Sequence, residues 1–215
     1  MADPNTNEEA PLGWPGQLWL EGRTLVHLQQ EKERPSNMPR GHAKRTGVGF
    51  LNPAMAPART RSVLLLDDAL EHGWLVKPGR PIRALDALCA TGVRIRRWRN
   101  EIPSDLQHRL RITGNDLDEF ALSWAKTSHH CHPPKRDIVH EPEDDRHGQP
   151  SDAVFTNGLH FQRLDARMAM VDAAYQWVDL DPFGSPIQFL DAALQSLSRT
   201  GVLEVTATDT AALTG

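Results

Sequence analysis

The stretch VDLDPFGSP, residues 178–186, runs an apolar segment (Tyr175, Trp177, Val178, Leu180) into two carboxylates and then a Pro-Phe-Gly turn. An unpaired ionised carboxylate is expensive to desolvate. A buried strand that ends in Asp179 and Asp181 therefore implies that something at its end needs an acid. The two side chains point to the same side of the strand, Asp179 the deeper, and Asp179 reads as structural, bonded to a neighbouring loop. Pro182 restricts Asp181 to extended geometry and stiffens the turn. Phe183 offers a ring on which a base can stack, and Gly184 lets the backbone turn tightly. The chemistry that suits this set is methyl transfer to an exocyclic amino group. Such an amine is a poor nucleophile because its lone pair is delocalised into the ring. The Asp181 carboxylate and a carbonyl near Pro182, placed against its N–H bonds, favour the pyramidal nitrogen and free that lone pair.

Three other segments end in acids in the same way. Ile82–Asp86 leads into Cys89-Ala90-Thr91-Gly92-Val93-Arg94, Leu110–Thr113 into Gly114-Asn115-Asp116, and Leu159–Arg163 into Asp165-Ala166. The first loop has one glycine where a dinucleotide site wants three for close approach to a pyrophosphate, and acids disfavour a phosphate-rich ligand. A ligand with ribose hydroxyls, an adenine amine and a positive charge fits, and S-adenosylmethionine has all three. Asp116 falls at the spacing from Gly92 at which a nucleotide-binding sheet places an acid on ribose hydroxyls. Asp165 can accept from the adenine amine, and Arg59 or Arg94 can pair with the methionine carboxylate. Any one of these acids alone reads as an N-cap or turn residue; the four in register carry the functional reading. Arg96, Arg97 and Arg99 read as the solvated face of a helix.

The elements that must position these residues alternate. Strands are expected within 18–30, at 81–86, 110–113, 175–179 and 202–206, and a hairpin around Asn157-Gly158. Helices are expected at 60–72, 93–101 (stopped before Pro103), 119–128 and 186–198, with a short one after Asp165. This alternation predicts an α/β fold, a Rossmann-like parallel sheet with helices on both faces. Residues 1–17 read as a disordered start, 18–59 as a strand-and-loop extension with a basic segment, and 60–215 as the sheet domain, interrupted by a Pro-rich charged surface insertion at 129–151.

Of 215 residues, 39% are hydrophobic and 24% charged, with a formal net charge of −4. Bulk charge therefore does not hold a nucleic acid. The segment from Lys32 to Arg61 (Lys32, Arg34, Arg40, Lys44, Arg45, Arg59 and Arg61 against Glu33) can meet phosphates locally. Cys89 and Cys131 are too few and too separated for a disulfide framework, no apolar run has the length of a membrane span, and the N-terminus lacks a signal-peptide core. The expectation is a cytoplasmic protein without a metal. His129-His130-Cys131-His132 crowds its ligands too closely to close a tetrahedron around one zinc.

From Phe50 to Gly215 the sequence resembles the tRNA (guanine-26, N2) dimethyltransferases. The matching pieces are Phe50-Leu51-Asn52-Pro53 leading to Arg59 and Ser62; Leu85-Asp86-Ala87 with Ala90-Thr91-Gly92-Val93-Arg94; Asn115-Asp116; Asp165-Ala166; Asp179 through Pro186 with Phe189-Leu190-Asp191-Ala192-Ala193; and Val205 through Thr210. The resemblance implies transfer of one or two methyl groups from S-adenosylmethionine to the N2 amine of a guanine in tRNA. It implies Arg59, Arg94, Asp116, Asp165 and Ala166 as cofactor residues, with Asp86 beside them. Asp181 would be the catalytic acceptor with Pro182, and Phe50, Asn52, Phe183 and Gly184 would hold the flipped guanine. Leu51 stands where an aromatic is expected, and Ala58 and Thr60 flank Arg59 where Asn and Asp are usual. Family members continue into a C-terminal domain that helps bind tRNA, which is expected to be missing here. Two other readings remain open on the residues: an amino-methyltransferase of another base, such as adenine in DNA, and a non-catalytic RNA-binding module.

Overall fold

The structure, a computed structural model, describes residues 10–29, 51–77, 80–134, 155 and 158–207. An antiparallel hairpin comes first, β1 (Gln17–Glu21) and β2 (Thr24–Leu28), paired from Gln17↔Leu28 to Glu21↔Thr24. Helix α1 (Ala56–His72) follows and ends at Gly73, whose φ of 66° closes the helix in the left-handed region. The remaining elements are β3 (Ile82–Asp86), α2 (Val93–Glu101), β4 (Leu110–Asn115), α3 (Glu119–Cys131), β5 (Leu159–Gln162), α4 (Ala166–Val171), β6 (Tyr175–Leu180), α5 (Ile187–Ser196) and β7 (Leu197–Val205).

Strands β3 to β7 form one sheet in the order β5-β4-β3-β6-β7, every pair parallel. The chain starts in the middle at β3, winds outward through β4 and β5, then returns to β3's other side with β6. Strand order therefore reverses between β3 and β6, the place where doubly wound sheets open a ligand crevice at their carboxyl ends. Helices cover both faces because the strands alternate two apolar sets. Ile82, Ala84, Ile112 and Trp177 pack against Val63, Leu66 and Leu70 of α1, Ile95 and Trp98 of α2 and Leu122 of α3. Leu85, Val178 and Leu180 face Ala166 and Met170 of α4 and Ala193 of α5. The expected fold class is the observed one.

The differences lie in lengths and in one charge pattern. Helix α1 starts four residues before the expected Thr60, because Pro57 falls in its first turn, where a missing N–H costs nothing. Helix α3 runs to Cys131, taking in His129–Cys131, which read as the start of a surface insertion; residues 135–151 of that insertion lie outside the described residues. Leu159–Gln162 pairs in parallel with β4, and the other arm of the hairpin expected at Asn157-Gly158 lies, Phe155 apart, outside the described residues. The solvated-face reading of Arg96, Arg97 and Arg99 is corrected: they are only 1, 3 and 4% exposed. Arg96 donates to the carbonyls of Leu25 and His132, and Arg97 to Glu101, Glu21, Thr60 Oγ1 and the carbonyl of Ala56. Arg99 lies along Gly158, where a Cβ would come within 2.9 Å of its Nε. The hairpin β1–β2 roofs this face of α2, which local charge pattern does not reveal. Burial lowers the pKa of Arg96 and Arg99 to about 10.

Candidate active site

A cleft of about 790 Å³ opens at the carboxyl ends of β3 and β6. The loop from β3 to α2 forms one wall. It is fixed by backbone bonds from Ala87 N to Asp179 O (3.0 Å) and from Cys89 N to Asn115 O (2.7 Å). Gly92 caps α2 with φ 74°, a left-handed conformation that side chains disfavour, and a Cβ there would also meet Ala125 at 3.1 Å. Asn115, fully buried, ties the strand ends together. Its amide donates to the carbonyls of Ala87 and Leu164 and its oxygen accepts from Leu164 N.

Carboxylates crowd around one arginine. Arg94, in the first turn of α2, places Nε 2.9 Å from Asp179 Oδ2 and Nη2 3.2 Å from Asp181 Oδ2. The pair with Asp179 lacks the angle of a directed hydrogen bond, and neither Asp179 oxygen receives one, although the side chain is 1% exposed. Asp181, two residues on, is 26% exposed. Burial pushes Asp179 well above the usual carboxylate range, Asp86 and Glu204 adding to the effect and Arg94 opposing it. Burial likewise pushes Asp86 up to about 7, with Asp181 and Asp116 adding and Arg94 opposing. Burial works against the charge of Arg94 too, but Asp179, Asp86 and Asp181 outweigh it and hold the guanidinium above its ordinary value. Asp116 accepts from Ala90 N (2.8 Å) and Asp118 N (2.9 Å), and burial raises its pKa against those bonds. The cleft thus carries more acid than its arginine can neutralise, which suits a cationic ligand.

Most of the expected residues meet here. Asn52, Arg59, Asp86, Arg94, Asp116, Asp181, Pro182, Phe183 and Gly184 line the cleft. Phe183 is 79% exposed, and Gly184 turns the backbone with φ 87°. Arg59 is held by both oxygens of Glu21, each at 2.6 Å, and by the carbonyl of Asn52 at 3.0 Å. The Asn52 side chain accepts from Ala54 N and starts the turn into α1. Asp165 and Ala166 do not line the cleft. Asp165 caps α4 by accepting from Arg167 N and pairs with the Arg167 side chain, which lowers its pKa, and Ala166 packs into the core. Phe50 lies outside the described residues.

Some residues of the site escaped the reading of the sequence. Glu21, on a hairpin strand, supplies the acid that anchors Arg59 and Arg97; nothing local to Glu21 announces a partner 38 or 76 positions away. Glu204 of β7 accepts from Ser62 Oγ and from Trp177 Nε1, and stands near enough to Arg94 to support its charge. Met55, Leu88 and Gln188 also line the cleft. Among the described residues no group of three or more His, Cys, Asp or Glu gathers as a metal site. His132 Nε2 is instead 2.8 Å from His27 Nε2.

A family model described as TRM, N2,N2-dimethylguanosine tRNA methyltransferase, matches residues 29–215. The chain belongs to that family. Similar relatives include the tRNA (guanine(26)-N(2))-dimethyltransferase of Pyrococcus furiosus, 36% identical over 170 residues, which cover 77% of this chain and 38% of the relative. The tRNA (guanine(27)-N(2))-dimethyltransferase of Mus musculus is 30% identical over 140 residues, covering 65% of this chain and 18% of the relative. Among solved structures, Trm1 from Pyrococcus horikoshii in complex with S-adenosyl-L-methionine superposes with a TM-score of 0.64 at 28% identity, over 92% of this chain and 44% of that one. The chain therefore spans less than half the length of the family members it matches.

Proposed function

We propose that this chain carries the methyl-donor site and catalytic centre for S-adenosylmethionine-dependent methylation of the N2 amine of a guanine in tRNA, as the names of its relatives and the donor-bound structural neighbour indicate. Position 26 is the target we favour, from the higher identity to relatives named for that position. The observation that carries the reading is the acid-rich cleft at the β3–β6 reversal, with the Asp181–Gly184 turn at its mouth.

The cleft fits the donor on charge. Asp86, Asp179 and Asp181 share one arginine, and both Asp179 oxygens lack a hydrogen bond, so a cationic group is welcome beside them. Asp116, past the end of β4, is assigned to ribose hydroxyls. Asp165 and Ala166 stand one strand further out, past β5, roughly 5 Å beyond by ordinary strand spacing, where an extended donor's adenine would reach. Arg94 and Arg59 are assigned to its carboxylate end, with Glu21 holding Arg59 in place. When bound, S-adenosylmethionine supplies a methyl group on sulfur that is already activated for displacement.

The protein's own contribution is positioning. Asp181 accepts an N–H of the guanine amine, helped by the backbone carbonyl near Pro182, and leaves the nitrogen lone pair directed at the donor. Phe183 stacks on the base, offsetting the few kcal/mol that extruding it from its stack costs. Phe50 and Asn52 are assigned to the opposite side of the base and Gly184 to its edge. The partner is tRNA. A reducing, cytoplasmic setting suits the free thiols of Cys89 and Cys131.

The test is to incubate full-length protein with unmodified tRNA and isotopically labelled S-adenosylmethionine, and to map the modified nucleosides by mass. Labelled N2-methyl- and N2,N2-dimethylguanosine at position 26 are expected. Label on adenine, or none on tRNA, would overturn the reading.

A further inference from the structure

We propose that Gln188 reads the Watson–Crick edge of the target base and selects guanine; this rests on the function proposed above. Gln188 lies in the first turn of α5, immediately after the Asp181–Pro186 turn, and lines the same cleft as Asp181 and Phe183. Side chains in a helix lean back toward its N-terminus, which carries the Gln188 amide toward that turn.

The polar side chains around it already have partners within the protein. Asn52 caps the turn into α1, Arg59 is held by Glu21, Asp116 accepts from two backbone N–H groups, and Arg94 bridges Asp179 and Asp181. The Gln188 side chain forms no hydrogen bond among the described residues, so its amide oxygen and its NH2 are both available.

Guanine presents three groups along one edge: the N2 amine, the N1–H donor and the O6 acceptor. With Asp181 on the amine, N1–H and O6 remain to be matched. An amide offers an acceptor and a donor side by side, the complement of that pair. A carboxylate would repel O6 and a hydroxyl is too short to span both. Phe183 stacks on any base, and Asp181 accepts from any exocyclic amine. The amide of Gln188 therefore supplies the discrimination that stacking and the catalytic acid lack.

The experiment crosses a side-chain change with a base change. Two otherwise identical tRNA transcripts carry guanine or 2-aminopurine at the target position. The analogue keeps the N2 amine but lacks O6 and turns N1 into an acceptor. For the full-length wild-type protein, kcat/KM should be about ten- to hundredfold lower on 2-aminopurine than on guanine, the usual range for one bidentate base contact. Gln188→Ala should lose a similar factor on guanine and treat the two substrates within about threefold, with donor affinity by calorimetry unchanged. Gln188→Glu should behave like Gln188→Ala on guanine. If Gln188→Ala matches wild type on guanine, or keeps the full preference over 2-aminopurine, the proposal fails while guanine methylation stands. If wild type methylates neither transcript, the function proposed above fails and takes this inference with it.

Discussion

Asp181 and Asp86 end neighbouring strands yet face different demands. Asp181 is partly exposed and paired with Arg94, so its carboxylate is available at the cleft mouth. Asp181→Ala should abolish methyl transfer while leaving donor affinity within a few-fold, measured by turnover and calorimetry on the same preparation. Asp86 is buried, with its pKa pushed up to about 7 by burial and neighbouring acids. The value in an unfolded chain is about 3.9. An acid whose folded value is raised holds its proton more tightly when folded. Its favourable contribution is complete below about pH 4 and is lost as pH rises through about 7. Asp86→Asn should therefore flatten the fall in unfolding free energy between those limits, followed by urea denaturation across the range. A pH profile parallel to wild type would assign the titration to another group, Asp179 first among them. Ionised Asp86 also adds negative charge beside the donor, so wild-type donor affinity should rise as pH climbs through 7, and in Asp86→Asn that rise should shrink.

The hairpin and α2 show where a sequence pattern stops being informative. The limits of α2 were legible because Gly92 and Pro103 punctuate them, and its apolar positions Ile95 and Trp98 have helical spacing. The fate of its arginines was not, because burial of a guanidinium depends on acceptors brought from a distant element. Glu21 meets Arg59 and Arg97, and the carbonyl of Leu25 meets Arg96. The register at β7 was missed at its start for a related reason. Leu197 and Ser198 were expected to end the helix of 186–198 and the strand to begin at 202, yet β6 pairing, with a shift between Tyr175 and Trp177, carries Leu197 into the sheet. Removing the anchor acid leaves the buried Arg59 guanidinium without its carboxylate, while Arg97 keeps Glu101. Glu21→Ala should cost about 3–5 kcal/mol of stability, read from the midpoint of chemical denaturation at constant slope. A loss below 1 kcal/mol would mean that water reaches the pair.

Across the whole molecule, the alternation of strand and helix was enough to anticipate a parallel sheet covered on both faces. The acids at the strand ends anticipated its crevice, and Asp86, Asp116 and Asp181 do converge there. Asp165 carried the same signal as the others but does not line the crevice and caps α4, because an acid after a strand is also suited to starting a helix. A ligand seated at the reversal touches β3, β4 and β6 together, so its binding energy is shared by both halves of the sheet. S-adenosylmethionine at a hundred times its dissociation constant should raise the unfolding free energy by about 2.7 kcal/mol, seen as a higher melting temperature. No shift under those conditions would indicate that the crevice does not hold it.

The family match begins at residue 29, one position past the end of β2. Trimming a gene to that boundary would retain every matched position and still produce a damaged molecule. Arg59, Arg96 and Arg97 would lose Glu21 and Leu25, Val93 would lose its cover by Val26, and Trp124 would be stripped of Trp14. Homology limits alone would put the scissors in its roof.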